Sequence, residues 1–237
     1  MKATKGGNFK AIPLPEPQTV FARCYSMIDI GTVPNFYMNK LVGDARKIYV
    51  TWEFPSLLGV FSEERGEQPF VIGMELTAST ADNSNLAKLI SQWRNKPFTA
   101  EEEEGFDPAT MVGKTCFISF IHKRKGAFKD KGVTEITNEN TNLKFNGIMP
   151  KPKDVVAPDN INPYFIWDWE KIAVDGFNKD EFEKIPRWLQ KKMTESEEFK
   201  KYAPAGYTVE DNSYSSNDSP DDTKAPDPPK KTVDGEW

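Results

Sequence analysis

The sequence predicts a mainly β protein with one helix inside the sheet region and a helical extension after it. Three observations carry this: period-two alternation in successive segments, Gly and Pro between them, and one stretch of helical periodicity between the third and fourth. In Val20–Ile30, alternation puts Val20, Ala22, Cys24, Ile28 and Ile30 on one face and Phe21, Arg23, Tyr25, Met27 and Asp29 on the other, before Gly31. Residues 32–46 read as a loop. The second strand, Lys47–Phe54, presents Ile48, Val50, Trp52 and Phe54 together and stops at Pro55. The third, Pro69–Thr77, contains Gly73, a residue suited to a bulge or barrel corner. Asp82, Asn83 and Ser84 are candidate N-caps for a helix with Leu86, Leu89, Ile90 and Trp93 at i, i+3, i+4 and i+7, closed by Pro97. Glu101–Glu104 is a solvated run leading into one short helical turn. Thr115–His122 is the fourth strand, His122–Phe128 a basic hairpin loop, and Gly132–Thr137 the fifth strand. The order β-β-β-α-β-β is that of a five-stranded OB-fold barrel, with an open α+β sheet as the alternative.

The remainder divides the chain further. Residues 1–19 form a flexible N-terminal arm with Gly6, Gly7, Pro13, Pro15 and Pro17, mildly basic through Lys2, Lys5 and Lys10. Residues 20–140 are the barrel, and residues 141–208 a loop and α-helical extension packing on it or on another subunit. Within that extension Tyr164–Trp169 is too apolar to stay in water, and Pro186 divides the helical stretch Lys179–Tyr202 into two short helices. Residues 209–237 hold eight acids against three lysines, a net charge of −5 equal to that of the whole chain, and end in Trp237. A segment so polar cannot bury enough apolar surface to offset its ordering entropy, so a disordered tail is expected. It serves either as a solubiliser or as a partner-docking peptide.

Composition narrows the chemistry. No run of eighteen apolar residues and no apolar segment behind the N-terminal lysines predicts neither a membrane span nor a signal peptide, hence a cytoplasmic protein. One histidine, His122, and two distant cysteines, Cys24 and Cys116, leave no Cys/His metal set, and His122 beside Lys123 reads as a surface residue before a base. The cysteines fall on strands that pair in this topology and are expected to stay reduced. With no phosphate-cradling glycine loop and no metal-binding carboxylate cluster, neither a cofactor nor an enzymatic activity is expected.

A barrel of this type holds single strands through aromatic platforms and phosphate-tracking cations. The candidates are Phe21, Arg23 and Tyr25, about 7 Å apart on the outward face of the first strand, with Lys47 and Tyr49 on the second. Phe36, Tyr37, Lys40 and Arg46 come from the first loop, and Lys123, Arg124, Lys125, Phe128, Lys129 and Lys131 from the loop after the fourth strand, expected on the same side. Between Lys114 and Lys131 six cations face one acid, Asp130. Against this stand plainer readings: Phe21 and Tyr25 covered by residues 164–200, the HKRKG run as a solvated hairpin tip, and Trp52, Trp93 and Phe117 as core.

The segments ARCYSMIDIGT (Ala22–Thr32), KIYVTWEFP (Lys47–Pro55), SQWRNKPFTAEEEEGFDPATMVGKTCFISFIHK (Ser91–Lys123) and IPRWLQKKM (Ile185–Met193) resemble a group of phage single-stranded DNA-binding proteins with an OB fold, over roughly residues 13–200. The resemblance implies a protein that coats single-stranded DNA in phage replication, recombination or repair, in the cytoplasm of the bacterial host, with homo-oligomerisation left open. The acidic tail is similar to those with which single-strand binders recruit replication and recombination proteins, which puts Asp234, Glu236 and Trp237 at a partner-binding tip. Such tails commonly end in Phe; this one ends in Trp. The alternative is a phage structural or assembly protein that binds no nucleic acid.

Overall fold

The computed structural model describes residues 11–62, 66–129, 132, 134–159 and 161–209. The tail from Glu210 and the first ten residues of the arm, with the expectations attached to them, lie outside that set. Among the described residues six strands form one sheet: β1 (Thr19–Tyr37), β2 (Lys40–Ser62), β3 (Gly66–Thr77), β4 (Thr115–Arg124), β5 (Thr141–Pro150) and β6 (Phe165–Trp167). Their path is β3-β2-β1-β4-β5, with β6 added to β1 in parallel and every other pair antiparallel. Among the described residues no ladder joins β3 to β5, so the sheet is not closed into a barrel. Helix α1 (Asn85–Arg94) packs on both β3 and β5. Ser84 caps it by accepting a hydrogen bond from the Ala87 N–H, and α2 (Ala100–Gly105) opens with a capping box between Thr99 and Glu102.

Two expectations about the strands are corrected. The segment read as a loop at 32–46 continues both β1 and β2 as a ribbon, with Thr32 opposite Arg46 and Phe36 opposite Leu41. Met38 and Asn39 close it with φ of 48° and 61°, the left-handed pair that a two-residue hairpin turn requires. The fifth strand is not Gly132–Thr137, where the described residues make only an isolated bridge from Thr137 to Pro13. It is Thr141–Pro150, whose Leu143, Phe145 and Ile148 face the core. The barrel boundary expected at residue 140 therefore cuts before this strand.

The third correction concerns β1. Cys24 pairs with Trp52 and Ser26 with Thr51, so Tyr25 is a bulge residue with no partner on β2. The bulge reverses the alternation beyond it. Val20, Ala22, Cys24 and Met27 share one core with Ile48, Val50, Trp52 and Phe54 of β2, with Trp93 of α1, and with Cys116, Ile118 and Phe120 of β4. Ile28, Ile30 and Val33 point the other way into a second core. Met27 and Ile28 thus occupy the faces opposite to those the alternation assigned. Both cysteines are buried and free on adjoining strands, and burial pushes the Cys24 thiol up to about 12.

The second core is built by α3 (Trp169–Asp175), α4 (Lys179–Phe182), α5 (Arg187–Met193) and α6 (Glu197–Tyr202). They contribute Trp169, Phe182, Leu189, Met193 and Phe199, joined by Trp167 of β6 and by Tyr49 from the outer face of β2. As expected, Pro186 separates helices, standing at the N-cap of α5; the stretch 179–202 yields three short helices where two were expected. Gly73 is not a bulge: it pairs in register with Thr51, and a Cβ there would overlap the Tyr49 hydroxyl. Its bareness lets Tyr49 lie across β3 and meet Trp188 edge-on at 5.0 Å. Gly31, at φ +92°, has a Cβ position already filled by Ser196 and Glu198, where α6 docks.

That docking is polar at its centre. Glu198 Oε2 accepts from the Thr32 N–H at 2.6 Å and Oε1 from the Thr32 hydroxyl at 2.8 Å. Burial works against ionisation of Glu198, but the hydrogen bonds from Thr32 prevail and hold its carboxyl below its ordinary value. A depressed carboxyl contributes stability that is present above the unfolded-state pKa and is lost as pH falls through the folded one. Glu198→Gln is expected to lower stability by about 1 kcal/mol at neutral pH. In urea unfolding across a pH series, the gap from the unsubstituted protein should close in acid, below the ordinary glutamate range.

Candidate nucleic-acid interface

The outward face of β1 and β2, expected to be an open platform, is covered. Phe21 and Arg23 are each 6 % exposed and Tyr49 is 8 % exposed. Phe21 meets Phe117 edge-on at 6.0 Å, and Arg23 lies over the Phe21 ring at 5.9 Å. Tyr49 is covered by the second core at Trp188, and Arg23 by the connection between β5 and β6. Arg23 donates to the Pro158 carbonyl, while the Ile161 and Asn162 N–H groups donate to the two Glu53 carboxylate oxygens at 3.1 and 2.8 Å. Glu53 is fully buried directly across from Arg23, with 3.7 Å between Arg23 Nη1 and Glu53 Oε1. That distance gives Coulomb attraction but no hydrogen bond, and among the described residues Nη1 has no hydrogen-bond partner.

Tyr25, aimed by the bulge, is half-buried; burial first and then the Glu53 charge push its phenol up to about 12. Lys47 donates to Asn35 and Thr77, and burial lowers its pKa against the opposing pull of Glu75. Arg46 is bound by Asp29 and by Glu170, with its pKa raised first by the Asp29 hydrogen bond. In this arrangement Phe21, Arg23 and Tyr49 present no ring or cation to a ligand, and the charge of Arg46 is already matched.

Three other candidates, Phe36, Lys40 and Lys129, are exposed. Phe36 is 63 % exposed and Lys40 is exposed beside Met38, Leu41 and Val42, at the tip where Tyr37 ends β1. At the far end of β4, Arg124 donates to Asn140 and to the Glu135 carbonyl, which fixes the start of the hairpin loop. Lys123 and Lys125 are half-buried, Phe128 sits in a 3-10 turn over Gly126–Phe128, and Lys129 is exposed. Lys131, Asp234, Glu236 and Trp237 lie outside the described residues. The two groups were expected on one side. The register instead puts them at opposite ends of β1, since Thr19 pairs with Ser119 and β4 runs on past it, whereas Tyr37 closes the other end.

Electrostatics separates surfaces that the composition averages away. A cleft of about 760 Å³ is lined by Asp29, Glu103, Glu104, Asp107, Asp168 and Glu170, with Arg46 as its cation. It has the wrong sign for a phosphate backbone. Phe117, expected in the core with Trp52 and Trp93, alternates outward on β4 and is half-buried, whereas the two tryptophans are core. Among the described residues no group of three or more His, Cys, Asp or Glu is placed to hold a metal, and no helix is long and apolar enough to cross a membrane. No protein-family model, curated protein or solved structure matches the chain.

The Arg23–Glu53 pair generates a direct expectation. Glu53→Ala leaves a buried guanidinium uncompensated and removes the acceptor of two connection N–H groups, so stability should fall by about 3–5 kcal/mol. In limited proteolysis under native conditions, new cleavage should appear within residues 151–164.

Proposed function

We propose that the protein binds single-stranded DNA without catalysing a reaction, on a sheet that is an incompletely closed OB barrel. The observation that carries the proposal is the strand path β3-β2-β1-β4-β5, with α1 between β3 and β4, ending in the cation-rich β4–β5 hairpin. That path supports a barrel reading through its strand order, with no ladder from β3 to β5 among the described residues. The cations at the hairpin supply phosphate attraction, and the exposed Phe36 and Lys40 ribbon supplies a second contact. The resemblance to phage single-strand binders supports the same reading and gives its context: coating single strands during replication, recombination or repair, in the host cytoplasm. The tail, with Trp237 at its tip, recruits partner proteins and competes with DNA for the cations.

Fluorescence anisotropy of labelled oligo-dT and of a matched duplex, at two salt concentrations, tests this. The expected result is preference for the single strand, with log affinity falling against log salt by about 0.7 per phosphate neutralised. Removing residues 210–237 should tighten binding at low salt. Absence of salt-dependent binding overturns the proposal and favours an assembly protein.

A further inference from the structure

We infer that bases are held on the outer face of the β4–β5 ribbon, with Phe117, Ile121 and Met149 as the apolar surface and Lys144 and Lys123 as the phosphate rail. This deepens the single-strand reading and rests on it. Residues paired across antiparallel strands share a face, and the register places Phe117 opposite Met149, Ser119 opposite Gly147, Ile121 opposite Lys144 and Lys123 opposite Asn142. The opposite face belongs to the core through Ile118, Phe120, Phe145 and Ile148. Met149 is 47 % exposed and Ile121 39 %, large apolar groups left in water on a strand pair rather than at a loop tip. Successive outward positions stand about 7 Å apart, the reach of neighbouring splayed nucleotides.

Charge identifies the occupant. Neither β4 nor β5 contains an Asp or Glu, and their cations Lys123, Arg124 and Lys144 continue into Lys151 and Lys153. An apolar strip on two strands that carry cations and no carboxylate fits a polyanion with aromatic faces, and the acidic cleft lined by Asp29 repels one.

Gly147 marks where a base would rest. Its φ lies outside the left-handed region, and a Cβ built on it would meet no atom of the described residues within 4 Å. The fold therefore makes no demand for glycine there. Its effect is a bare stretch of backbone between Met149 and Lys144, opposite Ser119, against which a flat ring can lie.

The test uses the full chain, with oligo-dT anisotropy and thermal unfolding measured together. Gly147→Val fills the bare position with a strand-favouring residue and should leave the unfolding midpoint unchanged or raised, while weakening oligo-dT binding several-fold. Lys144→Glu combined with Met149→Glu should weaken it at least tenfold and flatten its salt dependence. Lys88→Glu combined with Ala81→Glu, both exposed and at or beside α1, makes the same charge change of −3 elsewhere and should bind as the unsubstituted protein does. If the unsubstituted protein binds and the ribbon variants bind equally well, or if Lys88→Glu with Ala81→Glu loses as much as the ribbon pair, the site is wrong while the single-strand reading survives. If the unsubstituted protein does not bind at all, the reading and the site fall together.

Discussion

The bulge at Tyr25 sets the terms for the rest of the molecule. A strand with unbroken alternation would send Met27 outward and Ile28 inward, and one core would suffice. With one extra residue between Cys24 and Ser26, the strand gives its first half to one side and its second half to the other. Ile28, Ile30 and Val33 are then apolar groups on what would be a solvated face. Burying them is worth roughly 1.5–3 kcal/mol for each large side chain, and the helices from residue 169 onward do that with Trp169, Phe182, Leu189 and Phe199.

Covering that face creates a second problem at its margin, where Arg23 and Glu53 stand opposite each other before the bulge. Two charges withdrawn from water cost more than their mutual attraction returns unless other hydrogen bonds satisfy them. The connection from β5 to β6 supplies those bonds with main-chain groups, Pro158 for the guanidinium and Ile161 and Asn162 for the carboxylate. It leads into β6, which pairs with β1 at Ser26–Ile28, just past the bulge and beyond the stretch that β4 occupies.

The inner core was largely legible in the sequence because it follows simple periods: Ile48, Val50, Trp52 and Phe54 on β2, and Leu86, Leu89, Ile90 and Trp93 on α1 behind the Ser84 cap. The fifth strand escaped because its alternation is short and breaks at Asn146, where the register slips opposite Ser119 and Phe120 and puts Leu143 and Phe145 out of phase with Ile148. The expected platform of Phe21, Arg23 and Tyr49 failed for a different reason. An outward residue of a strand carries no local mark of whether a distant segment will cover it, and the cover here comes from more than a hundred residues away. The apolar character of Tyr164–Trp169 showed that something would be covered, without showing what. Phe117 was misplaced because aromatic residues on both faces of TCFISFIH fit either phase of the alternation.

The order of synthesis gives the shared strand a further consequence. β1 emerges before the other strands of the sheet, and β2 to β5 can complete its inner face once residue 150 is made. Its outer residues, with Tyr49, must wait for Trp167 through Phe199. Until then a nascent sheet carries an uncovered apolar patch of the kind that recruits chaperones or pairs with another chain. The most sequence-distant contacts of β1 close last, and they include the two hydrogen bonds from Thr32 to Glu198. A chain halted shortly before residue 165 would have a finished core and an open, sticky back.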